Sequence, residues 1–490
     1  MTPERREQVR ENAEYLRNVR PLDPDEIAEY VEGQPHPAVV RQVLREQAPS
    51  LDLVERSDGT FTPVDDDPAT PAFAGVESFP ESYARTLEDL LVERFGPDWH
   101  AGESGDDLRE TIRALKADYF RNERVEYDAL AALGYAIYHL PDNYAVAQYV
   151  LHELAEAGLV GRRLRILDVG AGVGGPALGV HDYLPADALV EYHAVEPSAA
   201  ADVFERLVAE TGRNFHPTLS RTTAEAFARD GRDGAASESA YDLILFANVL
   251  NELDDPESVV ERYLDHLADD GTLVAIEPAD RETAIGLREV ERAVADEAGA
   301  ATVFAPTLRL WPGERPTDGG WSFDVRPDLA VPSFQRKLDE GAGESGERAG
   351  KSDGATPATG EFVNVDVQYA YSLLRPDGRR KLDFRADPDR SAKMAEMERH
   401  VTQRIDLVAV KLSHSLAADG SNPVFRVGDG SESTDHFAVL TDETALNADL
   451  RSADYGDLLA VEQALVLWND DEEAYNLVVD EETVVDRIPV

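Results

Sequence analysis

Three glycines at alternate positions, Gly170, Gly172 and Gly174, are the residues of this 490-residue chain whose type and spacing most directly suggest chemistry. They follow an apolar segment that ends in the carboxylate of Asp168. Glycine lets a backbone turn sharply and approach a ligand closely, because it has no Cβ atom. The pattern therefore predicts either a ligand-binding loop or a tight strand-to-helix turn without a ligand, and the residues downstream decide between the two.

Further polar residues stand at the ends of later apolar segments. Glu196 ends the second segment, Asn248 the third and Glu277 the fourth. An acid in the position of Glu196 can accept hydrogen bonds from both hydroxyls of a ribose, as acids do in nucleotide-binding folds. Asn248 and Glu277 are the best-placed candidates for a role in catalysis, although Glu277 could instead cap the next helix. The sequence identifies no catalytic base.

The segments that carry these residues have the character of buried strands separated by stretches of helical length. They are the runs 165–169, 189–195, 241–247 and 271–277, and the alternating segment 362–374 adds a closing strand. Strands that alternate with helices predict an α/β fold with a doubly wound, mainly parallel sheet. Ligands of such sheets bind at the carboxyl ends of the strands, where the loop and the strand-tip residues would lie.

Two cofactors fit this edge of the sheet. The glycines satisfy the dinucleotide pattern G-x-G-x-x-G, which would end at Gly175, with Glu196 at a plausible distance. The segment Asp168-Val-Gly-Ala-Gly-Val-Gly174 also resembles the first motif of class I S-adenosylmethionine-dependent methyltransferases. Dinucleotide-binding folds usually carry an apolar residue in place of the acid, so the methyltransferase is favoured over the dinucleotide-binding fold.

The methyltransferase resemblance implies a Rossmann-like sheet with S-adenosylmethionine as its cofactor. The glycines would pass the methionine part, Glu196 would hold the ribose, and the turn at Glu225 would lie near the adenine. An exposed loop carboxylate explains Glu225 equally well, and Asp168 could instead only orient the glycine loop. The cofactor-binding residues predicted in this way are Asp168, Gly170, Gly172, Gly174, Glu196, Glu225 and Asn248.

Composition constrains the setting and excludes several kinds of site. With 47 Lys and Arg against 97 Asp and Glu, the net charge is −50, and only six of the basic residues are lysine. This balance is typical of proteins from extreme halophiles, because molar salt shortens the Debye length to about 3 Å. The chain has no cysteine, which excludes disulfides, iron–sulfur clusters and thiolate metal sites. Since no signal peptide or membrane-spanning run is evident, we expect a cytoplasmic protein without metal.

Shifts in composition divide the chain into successive regions. They are a winged-helix-like or helical module over 1–65, a linker over 66–75, a helical region over 76–160 that packs on the core, a methyltransferase-like core over 161–385 with a disordered insert near 339–360, and a β-rich, OB-like domain over 400–490. If the first module contacts nucleic acid, Arg41 and Arg45 are its helix-borne candidates. Several short strands in under a hundred residues suggest a small C-terminal barrel, a type that commonly holds RNA but also serves as a docking module.

Motifs outside the cofactor loop resemble one family. They are the helical segment 136–144, Glu196-Pro-Ser198, Glu277-Pro278, Ala305-Pro306 and Ala453-Asp-Tyr-Gly-Asp-Leu458. Together they resemble, over 119–459, the methyltransferase-like proteins associated with the small ribosomal subunit of mitochondria and prokaryotes. Family members often place cysteines of a metal or iron–sulfur site after the Ala-Pro pair, whereas here Thr307 follows and no cysteine exists.

The resemblance implies a methyltransferase-like protein that acts on or with the small ribosomal subunit or its RNA. A ribosome assembly factor without methyl transfer and a methyltransferase for a small metabolite are the two alternatives. The oligomeric state is left open by the sequence.

Overall fold

The structure, a computed structural model, describes residues 1–121, 127–230, 240–306, 308–348, 360–418 and 420–489. The chain divides into two compact units. Unit 1 comprises Met1–Leu245 and Pro327–Val367, and unit 2 comprises Phe246–Arg326 and Gln368–Val490.

In the N-terminal module of unit 1, helices pack against a two-stranded hairpin. Each helix begins at a proline, whose fixed φ and missing N–H suit the first helical position. The backbone of Leu22 also forms an isolated antiparallel bridge with Phe61 of the hairpin, and the winged-helix assignment of this module stays a prediction. The elements are α1 (Pro3–Leu16), α2 (Pro24–Tyr30), α3 (Pro37–Leu51), β1 (Leu53–Glu55) and β2 (Phe61–Pro63).

The two arginines suggested as nucleic-acid contacts are engaged within unit 1. The carboxylate of Glu55 is 1% exposed and accepts hydrogen bonds from Arg45 (2.9 Å) and Arg213 (3.0 Å), with Arg41 at 3.8 Å. Burial has the largest single influence on the pKa of Glu55, and it raises that pKa. The hydrogen bonds and positive charges of Arg45 and Arg213 together outweigh burial, so the pKa of Glu55 lies below its usual value. Arg41 and Arg45 therefore serve first to neutralise a buried carboxylate.

Three long helices follow the segment predicted as a linker, which forms neither helix nor strand. They are α4 (Glu81–Phe95), α5 (Gly102–Arg121) and α6 (Ala129–Glu156). Helix α6 packs closely on the helix that follows the glycine loop, because Gly175 and Gly179 lie four residues apart on one face. A Cβ at Gly179 would lie 2.5 Å from the carbonyl oxygen of Tyr144 in α6.

The parallel part of the sheet begins in unit 1. Its strand order is β5-β4-β3-β6, and β3 pairs in parallel with β4, which pairs in parallel with β5. Mostly buried apolar residues fill β3, β4 and β6, as expected for strands covered on both faces, whereas β5 buries only Phe215. The elements are β3 (Arg163–Val169), α7 (Gly175–Tyr183), β4 (Leu189–Val195), α8 (Ala200–Val208), β5 (Phe215–Ser220), α9 (Ala224–Asp230) and β6 (Tyr241–Ala247).

Unit 2 contains the end of β6 and the strands that continue from it in the order β7-β10-β8, with β9 beside β10. Strand β10 is antiparallel to both β7 and β8. The acidic residues Asp269 and Asp270 lie within β7. The elements are α10 (Pro256–Leu264), β7 (Leu267–Pro278), α11 (Arg281–Arg292), β8 (Thr302–Ala305) and β9 (Asp324–Arg326).

Helix α12 (Ser333–Arg348) and strand β10 (Val367–Arg375) stand on either side of the insert predicted near 339–360. Helix α12 extends to Arg348, within the residues of that insert, whose predicted disorder stays a prediction. Residues 349–359 lie outside the described residues. The closing strand predicted from 362 begins later, at Val367.

The C-terminal domain, in unit 2, is a closed five-stranded barrel in the order β11-β12-β13-β15-β14, and β14 pairs again with β11. Strands β13 and β15 run parallel, and β16 extends the sheet beside β14. Its elements are β11 (Arg404–Lys411), β12 (Val424–Gly428), β13 (His436–Leu440), α13 (Asp449–Ser452), β14 (Leu458–Asn469), β15 (Ala474–Val479) and β16 (Val484–Arg487). The predicted fold class, an α/β core with N-terminal helices and a small C-terminal barrel, is confirmed.

The barrel packs on the segment that follows β8, also in unit 2. Leu308, Leu310 and Trp311 share an apolar cluster with barrel residues that include Val410 and Leu412. The contact is so close at Gly430 that a Cβ there would lie 1.5 Å from the carbonyl oxygen of Leu308. Trp311 therefore packs against the barrel, while Thr307 lies outside the described residues.

Candidate functional site

The glycine loop connects β3 to α7 in unit 1. Gly170, Gly172 and Gly174 have φ angles of +74°, +53° and +95°, in the left-handed region that residues with a Cβ rarely adopt. The N–H groups of Gly170 and Ala171 both donate to the carbonyl oxygen of Val195 at the tip of β4, over 2.9 and 3.1 Å. The alternate glycines therefore allow the loop to fold back onto the neighbouring strand end.

The space beside each glycine distinguishes packing from ligand access. A Cβ at Gly174 would lie 3.0 Å from the ring of Phe204, and one at Gly175 would lie 2.7 Å from the Cβ of Asn143. At Gly172 the nearest atom would be a backbone oxygen at 3.9 Å, an ordinary contact. Gly174 and Gly175 are thus required by packing, whereas Gly172 faces open space that a ligand can approach.

Glu196 ties the loop to the end of β4. One carboxylate oxygen accepts the N–H of Gly172 and the other accepts the N–H of Ser198, both at 2.9 Å. The residue is buried, with 7% of its surface exposed. Each oxygen keeps a second lone pair, so the predicted bonds to ribose hydroxyls are compatible with this loop-bracing role.

Asp168 lies fully buried at the end of β3. One oxygen accepts the hydroxyl of Tyr192 at 2.7 Å, while the other has no hydrogen-bond partner among the described residues. Burial raises the pKa of Asp168 to about 7, the nearby charge of Glu196 adds to the rise, and the Tyr192 hydroxyl opposes it. The unpartnered oxygen fits a site completed by a hydrogen-bond donor from a ligand or a water molecule.

Glu225 lies in the first turn of α9 and is half-buried. No hydrogen bond fixes its side chain in the part of the chain that the structure describes. The role near an adenine stays a prediction, as does the alternative of a loop carboxylate. Its neighbour Thr223 caps the start of the helix by accepting the N–H of Ala226 at 3.3 Å.

Unit 2 holds the two residues predicted as catalytic candidates. Asn248, directly after β6, has φ +55°, and its N–H donates to the carbonyl oxygen of Ile276 in β7 at 2.8 Å. One oxygen of Glu277 accepts the N–H groups of Val249 (3.2 Å) and Leu250 (2.9 Å). Glu277 therefore caps the short turn that follows β6 and not the helix after its own strand.

The second oxygen of Glu277 is buried without a hydrogen-bond partner among the described residues. Burial raises the pKa of Glu277 to about 8; the two N–H donors lower it, and the charges of Glu252 and Asp280 raise it further. At neutral pH this carboxyl is therefore mainly protonated, so it can donate one hydrogen bond and accept others. A neutral carboxyl of this kind suits the positioning of a polar group.

Sequence reasoning did not identify Tyr192 or Ser198 as parts of the loop site. Tyr192 lies two and four residues before Ala194 and Glu196, and alternate residues of a strand share one face. From this alternation the sequence could have predicted that the Tyr192 side chain lies on the same face of the strand as Glu196. Ser198 contributes only a backbone N–H, which carries no side-chain signal in the sequence.

Comparison with protein families decides between the cofactors. Residues 167–273, from β3 to the middle of β7, match the family model described as "Methyltransferase domain". This stretch is similar to a methyltransferase domain. The match confirms the class I methyltransferase fold of the core and S-adenosylmethionine as its cofactor. Residues 6–57 and 395–488 match the N-terminal and C-terminal domains of the family described as "Domain of unknown function (DUF8157)".

The chain is also similar, at low identity and low TM-score, to solved structures of methyltransferases. The plantazolicin methyltransferase BpumL in complex with SAH is 10% identical, with a TM-score of 0.29, over 60% of this chain and 99% of that chain. A putative sarcosine dimethylglycine methyltransferase from Galdieria sulphuraria is 15% identical, with a TM-score of 0.28, over 48% and 86%. At these scores the likenesses identify no substrate. A comparison with curated proteins found none that matches the chain.

None of the helices in the described ranges combines the length and the hydrophobicity that a bilayer crossing requires.

Proposed function

We propose that this protein is an S-adenosylmethionine-dependent methyltransferase that acts on the small ribosomal subunit or its RNA. The observation that carries the transferase part is the glycine loop, in which Gly172 faces open space while Glu196 braces its N–H. The closed C-terminal barrel supports RNA as the target, because barrels of this type commonly bind oligonucleotides. The motif 453–458, which resembles that of the ribosome-associated family, supports it further.

The residues of the chain contribute mainly positioning. Glu196 fixes the loop whose Gly172 leaves room for the cofactor, and Asp168 offers an unpartnered oxygen beneath that loop. Bound S-adenosylmethionine supplies an electrophilic methyl group that a nucleophile can displace in line. In unit 2, Glu277 holds the turn after Asn248, whose left-handed backbone sets the direction of its side chain. Rate acceleration would come from orientation and exclusion of water.

A ribosome assembly factor without methyl transfer is the second candidate. The observation in its favour is the commitment of Glu277, which is 1% exposed and uses one oxygen to cap a turn. Asn248 is followed by Val-Leu and not by the Pro-Pro-Tyr of enzymes that methylate base amines. Neither residue is therefore an evident acid or base for an acceptor.

The first test is a calorimetric titration of the protein with S-adenosylmethionine in molar potassium chloride, the salt condition proposed for its cytoplasm. Heat with one-site saturation is expected, and its absence would remove the cofactor-dependent function. The second test compares rRNA modifications in cells with and without the gene. If one rRNA methyl group is missing from cells without the gene, the methyltransferase is supported. If the rRNA modifications are unchanged but small subunits assemble incorrectly, the assembly factor is supported. If the protein never sediments with 30S particles, a small-metabolite acceptor is favoured.

A further inference from the structure

A cleft of about 860 Å³ opens in unit 2 between two segments of the chain. One segment, 309–315, follows β8 and the other, 378–385, follows β10. Five of the lining residues are arginines: Arg309, Arg315, Arg379, Arg380 and Arg385. The aromatic rings of Trp311 and Phe384 lie among them. Proteins bind single-stranded nucleic acids with guanidinium groups, which contact phosphates, and with aromatic rings, on which bases stack.

The charge of this region is opposite to that of the chain. Between Arg375 and Lys393 the sequence holds seven basic and four acidic residues, whereas the whole chain holds 47 basic and 97 acidic residues. A local excess of positive charge is therefore not explained by composition. In a chain that is otherwise strongly acidic, it marks a surface whose ligand requires arginine.

Two of the three carboxylates that line the cleft form ion pairs with basic residues of the protein itself. Asp296 receives two hydrogen bonds from Arg309, at 2.6 and 3.0 Å, and Glu314 pairs with Lys393 at 2.6 Å. Arg380 and Arg385 are exposed, and neither takes part in an ion pair within the described residues. Asp383 is the remaining acid of the lining. The cleft thus keeps uncompensated guanidinium groups at its surface.

The floor of the cleft is held rigidly. Arg309 is fixed by its bonds to Asp296, and the indole N–H of Trp311 donates to Asp429 at 2.7 Å in the barrel domain of the same unit. Phe384 is half-buried and leaves part of its ring accessible. A rigid base with accessible arginines and an accessible ring provides phosphate contacts and one stacking surface.

We propose that this cleft binds the sugar–phosphate backbone of single-stranded RNA, with Arg380 and Arg385 as phosphate contacts. Molar salt screens charges beyond about 3 Å, so long-range attraction is weak there and direct, bidentate guanidinium–phosphate contacts must carry the binding. The arginines of the lining can form such contacts. The proposal deepens the proposed function, on which it rests for the biological identity of the RNA, but the binding itself requires no methyl transfer.

The test is fluorescence anisotropy of the full chain with a fluorescein-labelled single-stranded RNA of about 20 nucleotides, longer than one barrel-sized site. Binding is measured over a series of potassium chloride concentrations for the wild type, for Arg380→Gln with Arg385→Gln, and for the control Arg390→Gln with Arg85→Gln. The control removes two exposed arginines outside the cleft lining and so matches the change in charge.

Loss of two phosphate contacts should weaken RNA binding about tenfold and reduce the slope of log affinity against log salt by about 1.4. The control should leave both quantities near those of the wild type. Equal weakening by the two double variants, no binding by the wild type, or equal binding of polyglutamate would overturn the proposal. Titration with S-adenosylmethionine separates the two ideas, because RNA binding without cofactor binding removes the methyltransferase function and leaves the cleft assignment intact.

Discussion

Replacing Asp168 with asparagine should change the pH dependence of stability more than any other single substitution near the glycine loop. The side chain is fully buried at the end of β3, and burial raises its pKa from 3.8 to about 7. Asparagine has nearly the same shape and cannot ionise. Its oxygen can still accept the hydroxyl of Tyr192, which now donates to the carboxylate at 2.7 Å.

The size of the effect follows from the pKa difference. The folded protein keeps the proton on Asp168 between pH 3.8 and about 7, whereas the unfolded chain has lost it. The wild type therefore loses stability as the pH rises through that window. A difference of roughly 3 units at about 1.4 kcal/mol each amounts to about 4 kcal/mol. Placing an amide NH₂ where the carboxylate oxygen has no partner costs about 1–3 kcal/mol at every pH.

The assay is urea-induced unfolding of wild type and Asp168→Asn at pH 5 and at pH 8, in high potassium chloride. At pH 5 the raised pKa already costs the wild type about 1.6 kcal/mol, which offsets part of the amide cost, so the two proteins should agree within about 1.5 kcal/mol. At pH 8 it should equal or exceed the wild type, because the variant avoids the cost of ionisation. The change between pH 5 and pH 8, about 2.6 kcal/mol, does not depend on the amide cost.

The control is Asp98→Asn, which removes a carboxylate at an exposed position. Its effect on the free energy of unfolding should be the same at both pH values. If Asp168→Asn also shows the same effect at pH 5 and pH 8 within about 1 kcal/mol, the carboxyl is ionised in the folded protein and the burial reasoning is wrong.

The remaining predictions concern the loop and the strand tip. Gly172→Ala should cost about 1–2 kcal/mol for its left-handed backbone and weaken S-adenosylmethionine binding in calorimetry. Gly175→Ala should cost more, about 3 kcal/mol, because its Cβ would overlap the neighbouring helix at 2.7 Å; equal stability of the two variants would contradict this. Glu277→Gln keeps an oxygen for the turn after Asn248, so its stability at pH 7 should stay within about 1 kcal/mol of the wild type, whereas Glu277→Ala should lose about 1–3 kcal/mol by thermal unfolding.

The core could be predicted because its signals are local. Each parallel strand is a short apolar run with a polar residue at its end, and the glycine loop follows the first of them directly. The positions of Asp168, Glu196, Asn248 and Glu277 at strand ends therefore followed from the sequence. What they contact did not follow, because the cap that Glu277 provides depends on the turn after a strand about thirty residues earlier.

Elements with weak apolar periodicity were missed. Helix α1 buries only Val9 and Ala13 along 14 residues, so its sequence does not show an apolar face. The barrel was predicted only from the number of short strands, and its pairings were not, because β14 and β11 join residues 48 to 61 positions apart.

The contact at Gly430 bears on how the C-terminal domain can be produced alone. The family match begins at residue 395, yet Val410, Leu412 and Leu458 are covered by residues near 310. A protein cut at 395 would present these side chains to water as an adhesive patch. The smallest stable form of the C-terminal domain therefore includes the segment near residue 310, about ninety residues upstream. The stretch that matches the family model is shorter than the unit that folds.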